Sequence, residues 1–240
     1  MLQKIQSWKG KNKAVTFSFD DGVLQDKRLV DILNKYDLKC TFNLNSSLLG
    51  NKNTYLYKDF EIDRTKILPS EVKSLYAGHE VAVHTKNHYR LTELDDKTVI
   101  SQVEEDRLKL SELCGYEVVG MAYPCGGVNN DDRVAELIKN HTGVKYARTI
   151  SSTENFDIQD NLYRFNPTVY HLDRKKAFSL AEEFINLKTD TSKIFYIWGH
   201  SYELDYNNEK QMTWDYFEEF CKLISNKEDI FYGTNKETLL

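Results

Sequence analysis

The chain predicts an α/β fold, a single distorted (β/α) barrel of about seven or eight parallel strands. Three observations predict it. Short apolar runs alternate with segments of helical periodicity along the chain. The first run, residues 14–19, is apolar over most of its length, as strands buried on both faces of a parallel sheet are. The length, 240 residues, is ordinary for one α/β barrel, which runs to about 250. With no linker, low-complexity tract or internal repeat, residues 1–240 read as one domain. A flat doubly wound sheet is the alternative, but the glycine-rich phosphate loop that often accompanies it is absent.

The elements follow in order. After the first strand, Leu29, Ile32, Leu33 and Tyr36 mark one face of a helix. Residues 40–44 are the next strand. Residues 45–64 are polar with scattered aromatics and read as an excursion with little regular structure. Residues 70–77 predict a short helix stopped by Gly78. Glu80-Val81-Ala82-Val83 is a strand, and 95–113 a long helix burying Val99, Val103, Leu110 and Leu113. Residues 118–122 predict a strand, 131–140 a helix, and 145–148 and 162–165 two more strands. Ala177, Leu180, Ala181, Phe184 and Leu187 keep helical spacing. So do Trp214, Phe217, Cys221 and Ile224, on either side of the strand 194–198. Residues 230–232 close the series.

Bulk properties exclude some classes. The net charge of −5, with dispersed basic residues, gives no electrostatic case for nucleic acid or an anionic membrane. No run is long enough to cross a bilayer. Residues 1–13 are polar, without the apolar centre of a signal peptide. The expectation is a monomer, cytoplasmic as the chain stands, or extracellular or cell-wall if a leader has been removed. Cys40, Cys114, Cys125 and Cys221 form no Cys-x-x-Cys pair. They fit a reducing compartment, and their even number leaves disulfides open. The 15 tyrosines and 12 phenylalanines mostly fill an aromatic core, and platforms for sugar rings are their other use.

The chemistry gathers where strands end. Asp20 and Asp21 close the first strand, and Gly22 turns the chain. Two acids at the mouth of a buried strand need a cationic partner. A helix cap accounts for one of them and leaves the other unexplained. After the strand 80–83 come His84 and His88, which share a face if their loop makes a helical turn. Two neutral imidazoles and one carboxylate suit zinc or a similar divalent ion. The strand 194–198 delivers Gly199 and His200, and the strand 118–122 delivers Tyr123-Pro124-Cys125-Gly126-Gly127. In parallel α/β folds catalytic groups collect at the carboxyl ends of strands.

Four segments together, Thr16-Phe17-Ser18-Phe19-Asp20-Asp21-Gly22, His84-Thr85-Lys86-Asn87-His88, Tyr123-Pro124-Cys125-Gly126 and Trp198-Gly199-His200, resemble in order the motifs of the polysaccharide deacetylases, the NodB-like carbohydrate esterase family 4. The resemblance implies a distorted (β/α) barrel. It implies Asp20 as catalytic base and His200 as general acid. It implies one divalent ion, usually zinc, with cobalt or nickel as alternatives, on Asp21, His84 and His88. The Cys125 N–H takes the place of an oxyanion donor. Tyr123 lies in the same motif, and Trp198 replaces a leucine lining the acetyl pocket. Two positions depart from the pattern. The arginine that braces the base is replaced by Ala122, and Arg164 is the candidate to reach the base from another strand. The aspartate that orients the acid histidine is missing, with Glu203 or Asp205 as candidates to stand in.

These features predict a metal-dependent hydrolase that removes acetyl groups from an N-acetylated or O-acetylated sugar. Its roles match the needs of amide hydrolysis: an activated water, a base, an oxyanion sink and an acid for the departing amine. One alternative is an amidase of the same mechanism on a small non-sugar amide or cyclic imide. Another is a catalytically silent carbohydrate-binding domain.

Overall fold

The computed structural model describes residues 8–206, 208 and 210–240. Residues 1–7, the start of the polar N-terminal stretch, lie outside that set. The chain runs β1 (Lys13–Asp20), α1 (Asp26–Lys35), β2 (Cys40–Leu44), a hairpin of β3 (Thr54–Tyr57) and β4 (Phe60–Asp63), and α2 (Val72–Leu75). It continues β5 (Glu80–Val83), α3 (Asp96–Cys114), β6 (Gly120–Ala122), α4 (Asp132–His141), β7 (Tyr146–Arg148), β8 (Val169–Tyr170) and α5 (Arg174–Asn186). Last come β9 (Lys193–Gly199), α6 (Trp214–Ile224), β10 (Ile230–Tyr232) and α7 (Asn235–Leu239).

The main sheet has the order β7-β6-β5-β2-β1-β9-β8, with β10 paired to the start of β1. Every pairing within it is parallel. The sheet curls until its far edges approach, where Phe165 bridges Arg148 just before the chain enters β8. The result is the distorted barrel that the strand pattern predicts. β1 is buried along its whole length because it has strands on both sides and helices outside. Phe17 packs edge-on against Phe217 and Phe220 of α6, and Phe195 joins the same core. Many of the aromatics therefore do fill the interior.

Helix starts follow local chemistry. Asp95, Asp131, Asp173 and Thr213 each accept a backbone N–H at the head of α3, α4, α5 and α6. Gln25, and neither Asp20 nor Asp21, stands at the head of α1. That leaves both aspartates without a capping role.

Several elements differ from expectation. Residues 162–165 are not a strand. Asn161 accepts the Tyr163 N–H and starts a 3₁₀ turn over Leu162–Arg164, and only Phe165 reaches the sheet. The strand on β9 is instead β8, two residues long. The excursion at 45–64 contains the antiparallel hairpin β3–β4. The helix at 70–77 is a 3₁₀ turn followed by four α-helical residues, and Gly78 lies beyond its end with φ 85°. α7 is begun by Thr234 and Glu237 in reciprocal capping bonds. All four cysteines are free thiols. No helix among the described residues is long and apolar enough to cross a membrane.

Candidate active site

Because the strands are parallel, their carboxyl ends share one rim, and the polar residues that follow them converge there. Register sets the levels. Phe19 pairs with Gly199, Asp20 with Asn43 and Ala122 with Arg148. A cavity of about 240 Å³ opens on this rim, lined by Asp20, Asp21, Arg64, His84, His88, Tyr123, Cys125, Gly126, Ile150, Trp198, His200 and Tyr202. Asp20, Asp21, His84, His88, Tyr123, Cys125, Trp198 and His200 all line it, and the other candidates from sequence, Arg164, Glu203 and Asp205, do not. The turns that carry these groups are tight. Asp21, Gly22, Thr85, His88 and Cys125 all have positive φ. A Cβ on Gly22 would come within 2.6 Å of Leu44, and one on Gly199 within 1.9 Å of the His171 ring. Only glycine lets the chain leave β1 and β9 in these directions.

Asp20 is buried and held from two sides. Arg148 Nη2 donates to both its oxygens, at 2.6 and 2.5 Å. Asn43 Nδ2 donates to Oδ1 at 2.8 Å. Asp20 Oδ2 stands 4.0 Å from His84 Nε2 and 4.0 Å from His200 Nε2. It thus lies between the histidine pair and the lone histidine. Arg148 is fully buried, and its guanidinium also lies 4.6 Å from the Trp198 ring.

The brace is Arg148, in place of the expected Arg164. The Arg164 side chain is one-third exposed and bonds Asn130 Oδ1 and Asp132 Oδ1. The 3₁₀ turn that replaces the expected strand turns it away from Asp20.

Asp21, His84 and His88 offer ligand atoms within 4.8 Å of one another. The loop between the histidines is irregular, with left-handed Thr85 and His88. The pair converges through these turns and not through a helical turn. His84 Nδ1 donates to the Ala122 carbonyl at 2.9 Å, which leaves the Nε2 lone pair for a ligand role. Burial lowers the His84 pKa to about 4 against the pull of Asp20, and burial also lowers that of His88. Both are neutral at pH 7. Burial alone would raise the Asp21 pKa, but Lys66 and the surrounding histidines hold it well below the usual range. Two neutral imidazoles and one ionised carboxylate are the donor states a divalent cation requires, so these residues fit such an ion.

His200 follows β9. Its Nδ1 lies 3.1 Å from Glu203 Oε2, and its backbone N–H donates to the same oxygen at 3.0 Å. Burial disfavours the imidazolium, but Glu203, Asp21 and Asp20 outweigh it and raise the His200 pKa to about 9. Glu203 also meets His171 Nε2 at 2.8 Å and the Tyr170 hydroxyl. Burial opposes its charge, yet His200 and His171 keep it ionised. Asp205 points elsewhere, to Gln25 and Trp214.

The loop after β6 is folded by Asn129, whose Nδ2 donates to the carbonyls of Tyr123, Pro124 and Cys125. The Cys125 N–H meets no acceptor among the described residues. Its Sγ sits 3.7 Å from His88 Nδ1. Tyr123 is anchored through its hydroxyl to the Tyr163 carbonyl. Trp198 stacks on Tyr170 at 4.6 Å. Sequence reasoning missed Arg148, Asn129, Arg64 and Lys66. Lys66 Nζ donates to the Asp21 carbonyl at 2.7 Å and stands 3.3 Å from Oδ1.

Residues 8–147 match the family model "Polysaccharide deacetylase", and the chain belongs to that family. It is 30% identical over 131 residues to the peptidoglycan-N-acetylglucosamine deacetylase PgdA of Listeria monocytogenes, covering 53% of this chain and 24% of that one. It is 25% identical over 134 residues to the peptidoglycan-N-acetylmuramic acid deacetylase PdaC of Bacillus subtilis, covering 55% and 26%. The chain thus spans about a quarter of the length of these curated relatives. Its fold is shared with a family 4 carbohydrate esterase from Streptomyces lividans solved in complex with acetate, with a TM-score of 0.57, 14% identity and 93% of each chain covered.

Proposed function

We propose that the protein is a metal-dependent hydrolase that removes acetyl groups from an N-acetylated sugar or glycan. One observation carries the reading. A carboxylate clamped by Arg148 and a histidine charged by Glu203 flank one small cavity, beside an Asp-His-His set, buried at Asp21 and His84 and half-buried at His88, in ligand-ready protonation states. A silent sugar-binding domain has no use for a base and an acid on either side of such a set.

Asp21, His84 and His88 would hold the ion, zinc or a similar divalent metal. Bound there, it would supply Lewis acidity and lower the pKa of water. Asp20 takes the proton of the attacking water. Arg148 holds both Asp20 oxygens in place, so the base keeps one orientation and is not consumed as a ligand. The Cys125 N–H faces the oxygen that gains charge as the acetyl carbon becomes tetrahedral. His200, charged at neutral pH, gives its proton to the departing nitrogen. Acetate and the free amine result. Trp198 and Tyr123 wall the acetyl group, and the cavity is smaller than the roughly 300–1,000 Å³ of common small-molecule sites. It is of a size for about one N-acetylated sugar ring.

Acetate release from N-acetylated oligosaccharides, with added zinc or cobalt and after chelation, tests the reading. Asp20→Asn should retain the metal and lose about 10²–10⁴-fold in turnover, the range for a general base. Wild-type rates in that variant, or full activity after exhaustive chelation, would refute the assignment.

A further inference from the structure

Both imidazoles of the Asp21-His84-His88 set meet one strip of chain, the residues that end and leave β6. His84 Nδ1 donates to the Ala122 carbonyl at 2.9 Å. Farther along the strip, Cys125 Sγ lies 3.7 Å from His88 Nδ1. The same sulfur lies 3.4 Å from the His88 carbonyl. A carbonyl only accepts, so the thiol proton points to it. Burial raises the thiol pKa, and that proton is kept at neutral pH. The sulfur lone pairs are left for Nδ1, which therefore holds the ring proton. Nε2 keeps its own lone pair, 3.5 Å from Asp21 Oδ1.

The strip is held without help from the histidines. The Tyr123 N–H donates to the Arg148 carbonyl at 3.0 Å. Buried Asn129 gathers the carbonyls of Tyr123, Pro124 and Cys125 on one amide nitrogen, the last at 2.8 Å. A group carried by this strip is therefore placed before any ion arrives. Cys125 itself is left-handed, with φ 66°, a conformation that favours glycine. Glycines occupy the next two positions, and one at 125 would relieve the backbone. What the Cys125 side chain touches is thus the reason to keep it. Cys40, Cys114 and Cys221 pack in the core, and of the four cysteines only Cys125 lines the cavity.

We propose that Cys125 is a positioning residue: its sulfur accepts the His88 Nδ1 proton, fixes that tautomer and aims Nε2 at the ion that Asp21, His84 and His88 would share. This rests on the metal triad of the reading above and deepens it. One strip then orients both imidazoles, through a carbonyl at Ala122 and a thiol at Cys125. Partners of this kind set the ring plane and the basicity of a ligand histidine. The side chain of Cys125 acts on the ion through His88, while its backbone N–H serves the oxyanion.

Nitrogen-15 NMR of the chelator-treated full chain reads the tautomer and needs no variant. His88 should carry its proton on Nδ1, and a proton on Nε2 overturns the proposal. Zinc affinity is then measured by chelator competition. Cys125→Gly suits the left-handed backbone, so the melting temperature of the zinc-free chain should hold. Its zinc affinity should fall about 10–100-fold, the usual cost of losing a ligand histidine's partner. Cys125→Ser returns an acceptor and should recover part of that loss. A cysteine with a merely structural role predicts a lower melting temperature and wild-type affinity in Cys125→Gly, and that result overturns the proposal. So does a sulfur-to-cobalt charge-transfer band in the cobalt-loaded wild type, which would make Cys125 a ligand. The triad can fail separately. If wild type binds no divalent ion, yet His88 is Nδ1-protonated and loses that preference in Cys125→Gly, the triad fails and the Cys125 contact stands. If His88→Ala loses zinc and Cys125→Gly keeps it at wild-type affinity, the triad stands and the proposal fails.

Discussion

Glu203→Gln is the sharpest probe of the acid side of the site. The glutamate lies 3.1 Å from His200 Nδ1, where full charges interact by about 5 kcal/mol at an effective dielectric near 20. His200 is partly exposed, so about half of that survives solvent screening, roughly two pKa units. The His200 pKa then falls from about 9 to about 7. Glutamine keeps the shape and an acceptor for the His200 N–H and for His171, so the fold should hold. Wild-type kcat/KM should stay high until pH approaches 9. The variant should lose about tenfold between pH 6 and 8, as the protonated fraction dictates. Stability carries the same sign. His200 has a raised folded-state pKa, so its contribution is complete below about 6.5 and disappears as pH rises through about 9. The wild-type melting temperature should therefore decline across that window, and the variant's decline should be smaller. A pH–rate profile for Glu203→Gln with its basic limb still near 9 would refute the reasoning, as would an NMR titration showing His200 unmoved.

Two further outcomes follow from the geometry. His88→Ala removes one of the three proposed ligands and should abolish stoichiometric divalent-metal binding in elemental analysis while leaving the far-ultraviolet circular dichroism unchanged; full metal content would refute the triad. Arg148→Met strips a buried carboxylate of its bidentate partner, and denaturant unfolding should show a loss of about 3–5 kcal/mol, whereas a loss below about 1 kcal/mol would mean that Asp20 does not depend on the pair.

What the sequence revealed follows from where the information lay. Asp20, Asp21, His84, His88 and His200 each stand at the carboxyl end of a recognisable apolar strand, and a parallel fold brings such ends together whatever the register. Arg148 ends a strand too, and its place at 145–148 is legible. Its partner is 128 residues away, however, and only closure of the barrel through Phe165 brings β7 round to β1. No local pattern encodes that curl, and Arg164, near a strand that did not form, drew the role instead. Arg64 and Lys66 lie at and beyond the end of a stretch without a clear period, so nothing marked them as neighbours of Asp21. The choice between Glu203 and Asp205 depended on one unknown, the conformation after His200. Residues 201–206 form a 3₁₀ turn, in which positions i and i+3 eclipse. That puts Glu203 against His200 and swings Asp205 toward Trp214. Residue types and strand ends disclosed which chemistry is present, while the supporting charges depended on turn geometry that spacing alone does not set.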